Sequence, residues 1–190
     1  MGSPLQGILD RSFHHELLVH GIVAQITIPS DPNGAVTPGL LSTLFVHRGV
    51  DGTKITNIFP SPQYPTYEIH FPIIAPSIFT ADNGTRISLY VGAISVNFNM
   101  LTNTGSVEKV AVFDGSKELD SFSNLGWTGN HPNENLKLPT IKAFSHGLDI
   151  VLTLATPIGA YSGFEFRSVG ITLVKSTWIV VEPDPPVLVR

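Results

Sequence analysis

Short runs of alternating apolar and polar residues, separated by glycine and proline, recur along the whole chain. In residues 148–155, for example, Leu148, Ile150, Leu152 and Leu154 are each separated by one residue. Alternation with a period of two is typical of strands that bury one face, and no segment longer than about ten residues repeats as a helix would. About eight to ten such runs predict an all-β fold, either an antiparallel, jelly-roll-like β-sandwich or a flattened barrel.

The chain divides into three parts by pattern. Residues 1–16 have the character of a loose arm, residues 17–181 of a single β-sandwich domain, and residues 182–190 of an extended, proline-rich tail. A length of 190 residues suits one domain of ordinary size.

In the last long predicted strand, the apolar residues switch from even-numbered to odd-numbered positions. Phe164 and Phe166 fall on one side by strict counting, whereas Val169 and Ile171 fall on the other. A β-bulge near residues 168–170 would place all four apolar side chains on the same face.

Composition excludes several classes of function. Lys and Arg total 11 against 15 Asp and Glu, with no basic run, so no binding to nucleic acid is expected. No apolar run reaches the roughly 18 residues of a membrane span. The absence of Cys and of a basic, apolar leader at the N-terminus favours a cytoplasmic location.

No cofactor and no metal are expected. The chain has no phosphate-binding loop, dinucleotide fingerprint or nucleophile elbow. His14, Glu16 and His20 share one parity and could bind zinc or iron, but Val19 stands where a zincin helix would need its second histidine. Ordinary histidines are the favoured interpretation.

Residues 107–131 have the pattern of a rigid hairpin that leads into a glycine-rich loop. The turn lies at Asp114-Gly115, and the loop carries Trp127 and His131. A tryptophan ring stacks on a sugar or a flat ligand in many proteins, and it serves equally well as a plug at the end of a sandwich. We take Trp127, His131 and Tyr90, on the longest predicted strand, as candidate ligand contacts.

Three side chains are candidates for catalysis by acid–base chemistry. Alternation in residues 17–28 predicts one long strand in which His20 shares an apolar face with Leu18. There it is either a core histidine bonded to the backbone or a cavity-lining acid or base. His70 is expected to cap a sheet edge, and Asp114 is either the acceptor of an Asx turn or a catalytic carboxylate.

Six short pieces recur in a fixed order across residues 18–174. They are Val19-His20-Gly21, Ile69-His70-Phe71-Pro72, the strand from Val107 to Gly115, Gly129-Asn130-His131, Asn135 with Leu138-Pro139, and Gly147-Leu148-x-Ile150. Together they resemble a family of small all-β, mostly bacterial proteins known only as a domain of unknown function. The resemblance implies a β-sandwich and no particular activity. Asn130 replaces the aspartate usual in that family's loop, so the resemblance implies no acid that would orient the ring of His131.

Two functional hypotheses follow. In the first, the sandwich binds a sugar or a small hydrophobic molecule through the loops around Trp127 and His131. In the second, a cofactor-free cyclase or isomerase acts on a hydrophobic metabolite in an apolar cavity. A filled core with a surface groove favours the first, and an enclosed cavity favours the second. The 42% of hydrophobic residues against 14% charged ones also suits a homo-oligomer, which is compatible with either.

Overall fold

The computed structural model of the chain contains two antiparallel sheets that pack face to face. The predicted sandwich is therefore confirmed, and the sheets do not close into a barrel. The structure describes residues 7–8, 14–27, 44–57, 66–80, 84, 86–102, 104–157 and 162–178. Its strands are β1 (Gly7–Ile8), β2 (His14–His20), β3 (Gln25–Thr27), β4 (Leu44–Gly49), β5 (Gly52–Asn57), β6 (Thr66–Ile73), β7 (Ile78–Thr80), β8 (Arg86–Met100), β9 (Ser106–Asp114), β10 (Lys117–Trp127), β11 (Asn130–Ala143), β12 (Leu148–Ala155) and β13 (Ser162–Trp178).

Strands β8 and β13 form the centre of the larger sheet. Its order is β11-β8-β13-β5-β4, with β1 and β2 pairing along β13 and β7 along β8. The smaller sheet has the order β10-β9-β12-β6-β3. Since β9 and β10 are joined at Asp114-Gly115, the predicted hairpin turn is confirmed.

Large apolar side chains fill the space between the two sheets. The rings of Phe98 and Phe166 have centroids 5.9 Å apart, and those of Phe71 and Phe166 are 5.7 Å apart. Aromatic pairs at this spacing stabilise a core by about 1 kcal/mol beyond the burial of their surface. The largest fully buried side chains are Phe71, Phe98, Phe164, Phe166, Ile55, Ile69, Ile94, Ile150, Leu152, Leu154, Ile171 and Leu173.

A β-bulge at Arg167 brings both halves of β13 into register with the core. The pairing of β13 with β8 shifts at this residue. Phe164 and Phe166 before the bulge and Val169 and Ile171 after it are all fully buried. The bulge predicted from the change of parity is confirmed, and it lies one residue before the predicted segment.

The single long strand predicted for residues 17–28 is wrong. Strand β2 ends at His20 in the larger sheet, a 3₁₀ turn follows at Gly21–Val23, and β3 belongs to the smaller sheet. At this crossing a Cβ atom on Gly21 would lie 1.8 Å from the carbonyl oxygen of Phe166. Only glycine therefore allows the two backbones to approach so closely.

Part of the predicted N-terminal arm belongs to the larger sheet. Gly7–Ile8 pairs with the end of β13, and β2 begins at His14 and continues along the same strand. The predicted tail of residues 182–190 lies outside the described residues. In the part of the chain that the structure describes, no helix is long and apolar enough to cross a membrane.

Candidate functional site

Small and mostly polar side chains line the outward face of β8, one of the two central strands of the larger sheet. The even-numbered residues from 94 to 100 are buried in the core. Alternation along the strand therefore turns the odd-numbered residues away from the second sheet. These outward residues are Ala93, Ser95, Asn97 and Asn99.

Strand pairing aligns four of the outward side chains in one row across the larger sheet. Thr172 of β13 lies between Glu16 of β2 and Ala93 of β8. Ala93 is paired in turn with Lys137 of β11. Because adjacent strands lie about 4.8 Å apart, the row spans about 14 Å. The hydroxyl of Ser95 donates to Glu16 Oε1 at 3.0 Å, which holds the carboxylate against the centre of the face.

A cleft of about 1010 Å³ lies over this row. Its floor is low because Gly92 and Ala93 carry little or no side chain. The register of β11 shifts between Lys137 and Lys142, so residues 138–141 depart from β8 and form one side of the cleft. The lining consists of Glu16, Gly92, Ala93, Asn135, Lys137, Leu138, Pro139, Thr140, Ile141, Thr172 and Val174.

The same face remains polar beyond the cleft, around Glu165. This carboxylate is only 8% exposed and pairs with Lys54 at 3.2 Å and with Arg167 at 3.3 Å. Burial raises its pKa, but the hydrogen bonds and charges of Lys54 and then of Arg167 lower the pKa below its ordinary value overall. Glu165 is the cross-strand partner of Asn99, so the polar surface reaches the far end of β8.

Two of the predicted site residues lie on this face, at opposite ends. Tyr90 is the cross-strand partner of Val174, which lines the cleft. His20 is the partner of Ser168, beyond the other end of the cleft. The structure therefore brings these two residues to one surface, although the sequence suggested unrelated roles for them.

The apolar surroundings predicted for His20 are wrong. Leu17 and Val19 are the residues of β2 that pack against the core, so Leu18 and His20 face outward and are exposed. The ring of His20 hydrogen-bonds through Nε2 to the carbonyl oxygen of Val50 at 3.0 Å. Apolar residues occur on both faces of β2, so the alternating pattern alone did not determine which face is buried. Among the described residues, no three His, Cys, Asp or Glu side chains come together as metal ligands.

Trp127 and His131 close one edge of the sandwich. Trp127 ends β10 in the smaller sheet, His131 lies near the start of β11 in the larger one, and their ring centroids are 5.4 Å apart. Both rings also stack on the buried Phe98, at 6.1 Å and 4.8 Å. His131 is held further by Glu134 Oε1 at 2.8 Å and by the carbonyl of Thr128 at 2.9 Å. Their role as ligand contacts stays a prediction, and they lie apart from the cleft.

His70 lies on the outer face of the smaller sheet. Its Nδ1 donates to Asp149 Oδ2 at 2.7 Å, and its Nε2 is 3.9 Å from Glu68 Oε2. Strand β6 runs between β12 and β3, so the expectation that His70 caps a sheet edge is wrong. A histidine oriented by a carboxylate in this way is able to act as a base, and the catalytic role stays a prediction.

Asp114 ties the β9–β10 turn to the loop that precedes β12. Its Oδ1 accepts from the amides of His146 at 2.7 Å and Gly147 at 3.2 Å, and its Oδ2 accepts from the amide of Ser145 at 2.9 Å. Burial acts to raise its pKa, but the amides of His146, Ser145 and Gly147 lower the pKa to about 2. The bonds reach a distant loop rather than a local Asx turn. The three catalytic candidates thus lie on separate parts of the molecule.

Sequence reasoning did not predict the cleft as a site. Of its lining residues, Glu16 was considered only as a possible metal ligand, and Asn135, Leu138 and Pro139 appeared only in the family resemblance. The available signal was the run of residues 93–99, in which small or polar residues alternate with large apolar ones. A polar strand face is ordinarily just solvated surface, so the pattern alone does not indicate a site. The cleft also needs β2 and β13, which are distant from β8 in sequence, and the segment of β11 that departs from β8.

No protein-family model and no curated protein matches the chain. Several solved structures show a distant likeness to it. The carbohydrate-binding module CBM36, in complex with calcium and xylotriose, is 13% identical, with a TM-score of 0.38 over 85% of this chain and 99% of that one. TmCBM61 in complex with beta-1,4-galactotriose is 12% identical, with a TM-score of 0.41 over 76% and 86%. The xylan binding module CBM86 from Roseburia intestinalis is 10% identical, with a TM-score of 0.39 over 87% and 96%. The assignment as a sandwich rests on the strand pairing of this chain, because likenesses this distant carry no argument.

Proposed function

We propose that the protein is a carbohydrate-binding β-sandwich whose ligand site is the cleft on the outward face of the larger sheet. The observation that carries this proposal is the lining of the cleft, which combines hydrogen-bonding side chains with small and apolar ones. A sugar ring presents hydroxyl groups around its rim and C–H groups on its two faces. Ligand clefts in general combine apolar surface with a few well-placed polar groups, and this lining suits both parts of a sugar.

The polar side chains of the cleft supply both kinds of hydrogen-bonding partner. Glu16 accepts through its carboxylate oxygens, Lys137 donates through its ammonium group, and the amide of Asn135 does both. Thr172 adds a hydroxyl group between Glu16 and Lys137 in the same row. Since these groups belong to different strands around one low floor, a ring lying over Ala93 is within reach of more than one of them.

The apolar side chains of the cleft provide a surface for the faces of a sugar ring. Pro139 and Ile141, on the segment of β11 that departs from β8, supply most of this surface, because Leu138 beside them and Val174 of β13 are almost fully buried. Proline suits this segment because a departing strand loses its ladder hydrogen bonds, so the missing N–H costs nothing there. The rigid ring of Pro139 also reduces the entropy lost when a ligand packs against the segment.

The hypothesis of a cyclase or isomerase needs an enclosed apolar cavity that contains an acid or a base. In the described residues, the rings of Phe71, Phe98 and Phe166 occupy the interior between the sheets, and the large cleft is open to the surface. His70 and Asp114 both lie outside that interior. A filled core with a groove on the surface favours binding over catalysis.

Affinity gel electrophoresis tests the proposal, with soluble xylan, galactan or β-glucan cast into the gel. We expect at least one polysaccharide to retard the protein, and we expect the double substitution Asn135→Ala and Lys137→Ala to abolish the retardation. Lys117→Ala is the matched control, because Lys117 is an exposed residue of the smaller sheet and its loss changes the charge equally. The proposal fails if no polysaccharide retards the protein, or if the double variant is retarded as strongly as the control.

A further inference from the structure

The two sides of the cleft carry opposite charges. Its lining contains two ionisable residues, Glu16 on β2 and Lys137 on β11, and both are exposed. They stand at the two ends of the row that crosses the sheet through Thr172 and Ala93. No ion pair joins these two described side chains, so a ligand that lies over Ala93 meets a carboxylate on one side and an ammonium group on the other.

Lys137 has no carboxylate partner among the described residues. Other lysines of the domain are ion-paired, namely Lys54, Lys109 and Lys142. An ammonium group is a compact and strongly hydrated point charge. A neutral hydroxyl group that replaces its water gains little, whereas a carboxylate forms a charge-assisted hydrogen bond about twice as strong as a neutral one. The open ammonium group of Lys137 therefore suits an acidic group on the ligand.

Asn135 adds a second donor beside Lys137. Leu136 lies between them and packs against the core, so alternation turns both of its neighbours outward, where they line the cleft. Lys137 can only donate hydrogen bonds, and the amide of Asn135 supplies further N–H groups. Two neighbouring donors match the two oxygens of a carboxylate, which accept hydrogen bonds and donate none.

Glu16 gives the opposite side of the cleft the reverse character. The hydroxyl of Ser95, which is only 4% exposed, donates to Oε1 of Glu16 and fixes the direction of the carboxylate. The other oxygen, Oε2, is left to accept a hydroxyl group of a ligand. A uronic acid has a carboxylate on one side of its ring and hydroxyl groups on the other. It therefore fits between the two sides in one orientation, with its acid toward Lys137.

We infer that the cleft recognises a uronic acid, a sugar whose ring carries a carboxylate, through Lys137 and Asn135. The inference rests on the proposed carbohydrate function and names the class of sugar. An amino sugar would engage Glu16 but would leave Lys137 facing neutral groups. The protein carries a formal net charge of −4, which repels acidic chains at long range. A preference for an acidic sugar over its neutral counterpart must therefore come from the local cation.

Isothermal titration calorimetry tests the inference with pairs of trisaccharides that differ only in charge. The acids are trigalacturonate, trimannuronate and triglucuronate, each measured beside its methyl ester. Esterification removes the negative charge and keeps the rings and their hydroxyl groups. We expect at least one acid to bind about tenfold more tightly than its ester, as the loss of one charged hydrogen bond predicts. The preference should shrink as the salt concentration rises, because Lys137 is exposed to solvent.

Substitutions of Lys137 assign the preference to this residue. In Lys137→Gln a polar side chain remains but the charge is lost, so acid and ester should bind with nearly equal affinity. Lys137→Arg keeps the charge and should keep most of the preference. Lys117→Gln makes an equal change of charge at an exposed position of the smaller sheet and should bind both sugars as the wild type does. The midpoint of thermal unfolding should stay close to that of the wild type in all three variants, because both lysines are exposed.

Three results would overturn the inference while leaving carbohydrate binding intact. They are the lack of any preference for an acid while an ester or a neutral polysaccharide still binds, a preference that Lys137→Gln leaves unchanged, and a preference that Lys117→Gln removes equally. Failure of every acid, ester and polysaccharide to bind the wild type would instead refute the proposed function itself.

Discussion

Replacing Asp114 by Asn should weaken the link between the β9–β10 turn and the loop before β12. The carboxylate accepts the amides of Ser145, His146 and Gly147, and its side chain is only 10% exposed. An asparagine side chain presents an NH₂ group in place of one oxygen. That group would face backbone amides that are themselves donors, so some of these bonds would be lost.

The size of the effect follows from the pKa of Asp114. Its fall from an ordinary 3.8 to about 2 corresponds to about 2.5 kcal/mol of preference for the charged form in the folded state. Ser145 and His146 are exposed to solvent, and screening reduces the expected contribution to roughly 1–2 kcal/mol. Since the folded pKa lies below the unfolded one, this stability is complete above pH 3.8 and disappears as the pH falls through about 2.

Urea unfolding of the wild type and Asp114→Asn, followed by tryptophan fluorescence, measures this difference. We expect the variant to be less stable by roughly 1–2 kcal/mol at neutral pH, with the gap closing near pH 2. Asp51→Asn is the matched control, because Asp51 is exposed in the β4–β5 turn, and its stability should equal that of the wild type. A gap that persists unchanged at acid pH, or no gap at neutral pH, would refute the electrostatic reasoning.

Three further changes have defined outcomes. Trp127→Ala should destabilise the fold by about 2–3 kcal/mol, because the ring packs on Phe98, and the variant should still be retarded by polysaccharide. Lost retardation in a variant that stays folded would instead place the ligand site at Trp127 and His131. Gly170→Ala should cost about 1–3 kcal/mol in urea unfolding, since the new Cβ would lie 2.3 Å from a backbone oxygen of β2, whereas Gly147→Ala has open space and should be nearly neutral. Glu165→Gln should lower the midpoint of thermal unfolding more at neutral pH than at acid pH. The pKa of Glu165 is lowered in the folded protein, so the stability that its ion pairs with Lys54 and Arg167 provide disappears on acidification. An equal loss at both pH values would contradict this role of the ion pairs.

The amino-acid pattern by itself determined the class of the fold. Alternation with a period of two predicted strands, and the Asp114-Gly115 turn and the bulge in β13 were placed to within a residue. These features are local, because one buried face imposes its period on neighbouring residues and a turn requires particular residues at particular positions.

Only the tertiary structure decided which faces are buried and which strands are neighbours. In β2 both parities carry apolar residues, and the crossing at Gly21 removed the long strand that would have given His20 an apolar environment. The cleft was equally inaccessible to a local pattern. Glu16 and Thr172 are adjacent in space although nearly the whole chain separates them in sequence. Alternation shows which residues share a face, whereas the composition of a site depends on hydrogen bonds between strands that the pattern does not encode.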